Sequence, residues 1–193
     1  MSLVELIARA DARGLAASGL GCLDRCVPLL GGPDEDVLRP LWTSLADDGA
    51  GWGEHLAKAR GALGTAPYGG SGGSGGSDGS GAAALVRRML DAAPGDSAAD
   101  GLRGWADACS VAALQVHRLL DTVQDAEAGV AARREGRTEG MSPLVAAELR
   151  RQTTVLELLT TSGAGGLRQA LDVSVEGRKV LRAVVARRAR SQN

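Results

Sequence analysis

The chain reads as an all-α protein, an irregular helical bundle of about six to eight helices with a flexible Gly/Ser loop. Three observations predict this. Phe is absent, Tyr occurs once and Trp three times, although hydrophobic residues make up 44% of the 193. Leu, Val and Ala must therefore fill the core, and Ala and Leu are strong helix formers. Apolar residues recur at spacings of three and four, the period of one helix face. No segment sustains the alternation of a half-buried strand.

The first helical stretch is predicted over residues 3–30, opening after Ser2 as N-cap. Leu20, Leu23, Val27 and Leu30 share a face, and Gly14, Gly19 and Gly21 are expected to weaken or divide the stretch. Pro33-Asp34-Glu35-Asp36 then suits a helix start, with Pro early and acids in the first turn. That helix carries Val37, Leu38, Leu41, Trp42 and Leu45, with Pro40 inside it as an expected bend. A short helix follows over 52–63.

Residues 69–81 are Gly and Ser interrupted by Asp78, a composition that buries nothing and predicts a flexible linker or loop. It separates an N-terminal helical segment, 1–68, from a C-terminal one, 82–193, which are expected to share one core. Beyond it, 82–92 reads as a helix closed by Pro94-Gly95. A long helix over 97–123 bears the most regular stripe: Leu102, Trp105, Cys109, Ala112, Val116, Leu119 and Val123. This helix is expected at the centre of the core. Residues 128–141, charged and broken by Gly, predict a mobile loop. Ser142-Pro143 opens a helix with Val145, Leu149, Leu156 and Leu159 on its buried face, ending at Gly163–Gly166. A short helix over 167–172 and a longer one from Ser174 to about 190 complete the chain.

Charge is sorted by position. Residues 1–127 carry 17 acids against 10 bases, and residues 128–193 carry 6 against 12, within a net charge of −1. Such asymmetry points to nucleic acid, a membrane surface or an acidic partner, or to pairing within the fold. Arg far outnumbers Lys and Ala and Gly abound, which suggests a bacterial, high-GC coding sequence. The first residues lack a basic stretch followed by an apolar one, so no signal peptide is expected. No apolar run is long enough for a membrane span, so no membrane partner is expected. Three cysteines in a chain of this size read as reduced thiols and a cytoplasmic location.

Cys22 and Cys26 lie four apart on a helix, and with Cys109, His55 and His117 they raise a zinc site. Their spacing is not that of a short Cys-x-x-Cys knuckle, and Cys109 sits on the apolar stripe, so buried thiols and no metal are expected. His117 with Asp121 four residues on reads as a helix pair rather than a base and its orienter. Asp34-Glu35-Asp36 fits helix-terminal charge, and Asp47-Asp48-Gly49 fits a turn. No phosphate loop, dinucleotide fingerprint, zinc-protease motif or nucleophile elbow occurs, so neither catalytic residues nor cofactors are expected.

Leu167-Arg-Gln-Ala-Leu-Asp-Val-Ser-Val-Glu-Gly-Arg-Lys-Val-Leu-Arg-Ala-Val184 resembles part of a helix-turn-helix unit. The resemblance implies a turn at Asp172–Ser174 and a recognition helix in the DNA major groove. Arg178, Lys179, Arg182, Arg187, Arg188 and Arg190 would meet nucleic acid or another acidic partner. The favoured expectation is a non-enzymatic protein acting by protein–protein interaction or self-association. The alternatives are a DNA-binding regulator using 167–190 and a ligand-binding or enzymatic bundle with a pocket lined by Trp105 and His117.

Overall fold

A computed structural model describes residues 1–31, 36–64, 77–96, 99–123 and 129–191, and these contain helices and no strand. The first predicted stretch is three pieces. α1 (Leu3–Arg9) starts at Ser2 through a capping box: Ser2 Oγ accepts from the Glu5 N–H, and Glu5 accepts from the Ser2 N–H. α2 (Ala12–Cys26) is capped by Asp11, whose carboxylate accepts from the Gly14 N–H at 2.7 Å. A 3-10 turn (Val27–Leu30) closes on Gly31, at φ 71°. The chain breaks at Ala10–Asp11, not at the glycines.

Those glycines serve packing instead. Every residue from Gly14 to Val27 is buried, so α2, not the long helix after it, is the hub of the core. Gly, Ala and Ser on its surface let neighbouring helices approach closely. A Cβ on Gly19 would stand 2.6 Å from the ring of Trp105.

α3 (Arg39–Ala46) starts later than the sequence predicts, which places Pro40 in its first turn. There the missing N–H costs nothing, so Pro40 begins the helix rather than bending it. The predicted start at Pro33–Glu35 lies outside the described residues. α4 (Trp52–Gly64) matches expectation. α5 (Ser77–Asp91) takes in the last five residues of the Gly/Ser tract, correcting the reading of the whole tract as linker; Gly69–Gly76 lie outside the described residues. α4 docks on the end of α5: the Arg60 guanidinium donates to the carbonyls of Leu90, Asp91 and Ala93, and Trp52 Nε1 donates to Pro94 O at 2.8 Å.

α6 (Ala99–Leu120) carries the predicted stripe. Leu102, Trp105, Cys109 and Val116 are buried, Ala112 and Leu119 are half-buried, and Val123 lies past the helix end, exposed. Ser97, its expected start, lies outside the described residues. The expected loop at 128–141 contains a short helix, α7 (Val130–Arg134), with Arg133 and Arg134 buried. α8 (Pro143–Ser162) buries Val145, Leu149, Leu156 and Leu159 as expected, and a 3-10 turn (Gly163–Gly166) leads out of it.

α9 (Leu167–Ser191) is one continuous helix. The turn implied at Asp172–Ser174 does not form, so the segment lacks helix-turn-helix geometry. No Gly or Pro interrupts those positions, and Ser174 Oγ donates back to Ala170 O at 3.0 Å, satisfying itself within the helix rather than capping a new one. One continuous apolar core draws on residues from both sides of the Gly/Ser tract.

Candidate functional site

The least expected feature is a charged network inside the core. Arg25 on α2 meets Glu148 on α8 in a two-pronged pair, Nε to Oε2 at 2.8 Å and Nη2 to Oε1 at 2.7 Å, with both side chains at most 1% exposed. Gln152 Nε2 donates to Glu148 Oε1 at 2.9 Å, and Ser110 Oγ on α6 donates to Gln152 Oε1 at 2.6 Å. Arg134 of α7 reaches in, its Nε donating to Ser110 Oγ at 3.0 Å, and pairs with Asp107 nearer the surface. A second arm starts one residue before Arg25. Asp24 accepts from Arg178 of α9 at 3.1 Å and from Trp42 Nε1 at 3.2 Å, and Arg178 also lies 3.7 Å from Asp36.

These contacts explain part of the sorted charge. Asp24–Arg178, Asp36–Arg178 and Asp107–Arg134 each join an acid of the N-terminal stretch to a base of the C-terminal one. The asymmetry is partly consumed inside the molecule.

Burial and pairing pull the titrations in opposite senses. Glu148 is held below the usual carboxylate range: desolvation opposes this, but Arg25, His117 and the hydrogen bonds outweigh it. Asp24 goes the other way, because burial outweighs the pull of Arg178. His117 is pushed down by burial, so it is neutral at pH 7. Its Nδ1 lies 2.7 Å from Ala113 O and its Nε2 3.6 Å from Glu148 Oε2. The neutral ring therefore donates from Nδ1 to Ala113 O within its own helix, and its Nε2 only faces Glu148 beyond hydrogen-bond reach. The Asp121 carboxylate instead accepts from the N–H groups of Val123 and Leu144, tying the end of α6 to the start of α8. Burial pushes the Cys22 thiol up to about 12 and raises Cys26 and Cys109 well above the ordinary value. Among the described residues no three His, Cys, Asp or Glu side chains stand together to hold a metal ion.

The residues singled out from sequence scatter. Trp105 and His117 are both buried on α6 but lie twelve residues apart, about 18 Å along the axis. Trp105 borders a cavity beside α5 and its Nε1 donates to Met89 O, while His117 faces α8, so no common pocket joins them. Arg178, expected at a partner's surface, is 6% exposed and holds Asp24. Lys179, Arg182, Arg187 and Arg190 are exposed on α9, and half-buried Arg188 donates to Leu119 O at 2.7 Å at the end of α6.

Sequence reasoning missed Asp24, Arg25, Ser110, Glu148 and Gln152. A signal existed: Asp24-Arg25 interrupts a helix otherwise made of Ala, Gly, Leu, Ser and Cys, and Glu148 and Gln152 are spaced four apart on one face.

One open groove runs along α6, and a separate cavity of about 450 Å³ lies between α8 and α9. Between α5 and α6 a cavity of about 350 Å³ is bordered by Met89, Trp105 and Ala112. A larger one of about 940 Å³ continues past Leu119 to Val130 on α7. The two share Leu85, Val111 and Gln115, so they adjoin along α6.

Fold and site define an all-α helical bundle with a charged core and an apolar surface groove. Comparison with protein-family models, with curated proteins and with solved structures finds no match.

Proposed function

We propose that this chain is a non-enzymatic bacterial protein of the cytoplasm that works by binding another protein along the α5–α6 groove. One observation carries the reading: half-buried Leu85, Val111, Ala112 and Leu119 line two adjoining cavities that the described parts of the fold leave open. Apolar surface arranged this way supplies affinity once a partner covers it. The core supports the same reading, because its charged groups are engaged with one another. Ser110 Oγ is spent on Gln152 and Arg134, which leaves it no base to activate it. No helix among the described residues is long and apolar enough to cross a membrane, and the three thiols are buried and free.

A photo-crosslinking residue placed at Val111 in bacterial cells tests the proposal. Discrete adducts from Val111, lost on introducing Leu85→Asp and missing when the probe sits at exposed Thr161, are the expected result. Adducts that ignore the groove variant would overturn it.

The exposed cations of α9 favour a second reading, in which the face bearing Lys179, Arg182, Arg187 and Arg190 meets nucleic acid. Such binding must weaken steeply with salt, by a log–log slope of about −0.9 per phosphate contact. No binding of duplex DNA at low salt eliminates it.

A further inference from the structure

We propose that the occupant of the α5–α6 groove is one amphipathic helix of a partner protein, apolar on the face it buries and acidic along its flank. This rests on the groove reading above and adds the partner's chemistry.

Length comes first. The groove follows α6 from Trp105 to Leu119, fourteen residues or about 21 Å at 1.5 Å per residue, which accommodates about four turns of a docked helix. The floor comes second. Ala108, Val111, Ala112, Gln115 and Leu119 share one side of α6 at spacings of three and four, and Leu85 forms the opposite wall. A regular apolar strip of this kind receives the i, i+3, i+4, i+7 anchors of a helix.

Charge decides which helix. Arg88 lies at the α5 end of the groove and Arg118 toward the other; both are exposed, and neither makes an ion pair among the described residues. The Arg118 end is also where Arg188 docks on Leu119 O. Among the described lining residues the carboxylate is Asp121, and both its oxygens are already held by backbone N–H groups. Among the described lining residues the rim is therefore cationic on balance, two arginines against the one carboxylate of Asp121. A second copy of this chain facing its own groove would set these arginines against each other. Nucleic acid would satisfy the arginines and leave the apolar floor uncovered. An acid-flanked helix satisfies both.

The test uses the full chain and two labelled 16-residue helical peptides with the same Leu face, one flanked by Glu and one by Lys. Anisotropy should show the Glu peptide binding about tenfold tighter at low salt, the sum expected of two or three exposed ion pairs, with the advantage shrinking as salt rises. Arg88→Glu with Arg118→Glu should invert the preference in a variant that still melts cooperatively, its midpoint lower by a few degrees at most because both charges sit in last helical turns. Ala112→Asp should weaken both peptides. Equal binding of the two peptides overturns the acidic partner and leaves the groove. Failure of both to bind, or binding indifferent to Ala112→Asp in a variant that still melts cooperatively, overturns the groove itself.

Discussion

Replacing Glu148 by glutamine probes the core network at its centre. The substitution keeps the shape and removes the charge, so Arg25, at 1% side-chain exposure, is left as a buried cation whose remaining hydrogen-bond partners, Ser174 and Cys22, are neutral. Breaking a buried pair by removing one partner costs about 3–5 kcal/mol. For a domain of this size each kcal/mol shifts the melting temperature by about 2–4 °C, so Glu148→Gln should lower it by roughly 6–20 °C. Equilibrium urea unfolding followed by circular dichroism gives the free energy directly. The pair's net value is a separate quantity. Arg25→Met together with Glu148→Met should recover most of the loss, because apolar replacement of both partners avoids the desolvation that the pair itself suffers. A single variant within about 1 kcal/mol of wild type would place the pair with solvent-screened surface bridges and refute the reasoning. A double variant no better than the single would refute the desolvation argument.

Arg178→Ala should destabilise by about 3 kcal/mol or more by stranding Asp24, whereas its exposed neighbour Lys179→Ala should stay within about 0.5 kcal/mol, both by urea unfolding. Gly19→Ala should cost about 1–2 kcal/mol, because overpacking against the clamped Trp105 ring exceeds the gain in helix propensity. Gly104→Ala on the same α6, with nothing near its Cβ, should instead stabilise by up to about 1 kcal/mol. For pH, the folded protein holds His117 below its ordinary 6.5, so the unfolded chain binds the extra proton. Stability should be level between pH 6.5 and the thiol range near 9.0, where the buried cysteines begin a loss of their own, and fall below 6.5, by at most about 1.4 kcal/mol per unit from His117. Glu148, also depressed, adds a further loss below about 4.5. A His117→Gln variant that keeps the limb between 6.5 and 4.5 would show that another group causes it.

Helix content and most buried faces were legible because periodicity is a local property. Val145, Leu149, Leu156 and Leu159 needed no knowledge of their neighbours to be placed inward. The hub was misjudged for the same reason. α2 fills the spaces between its leucines with Ala, Gly, Ser and Cys, small residues that do not announce in sequence that every side of the helix is covered. Its glycines look like breaks along the chain and act as close contacts across it. The network was hidden by distance: Arg25 and Glu148 are 123 residues apart, and Asp24 and Arg178 are 154 apart. Whether an arginine is solvated or buried depends on what it meets, so Arg178 and Lys179 look alike in sequence and differ completely in place. The groove was half legible, in a stripe on α6 whose Ala112 and Leu119 are left incompletely covered.

The contact between α4 and the end of α5 has a consequence for the connection between them. Arg60 and Trp52 fix where these two helices meet, so the chain between Gly64 and Ser77 joins two points whose positions it does not decide. Doubling the length of such a connection costs only about 0.6 kcal/mol. Adding or deleting Gly-Gly-Ser units there should therefore change stability by well under about 1 kcal/mol. The same indifference makes it a natural insertion point: an epitope or a fluorescent reporter spliced there leaves the helices on either side where they were.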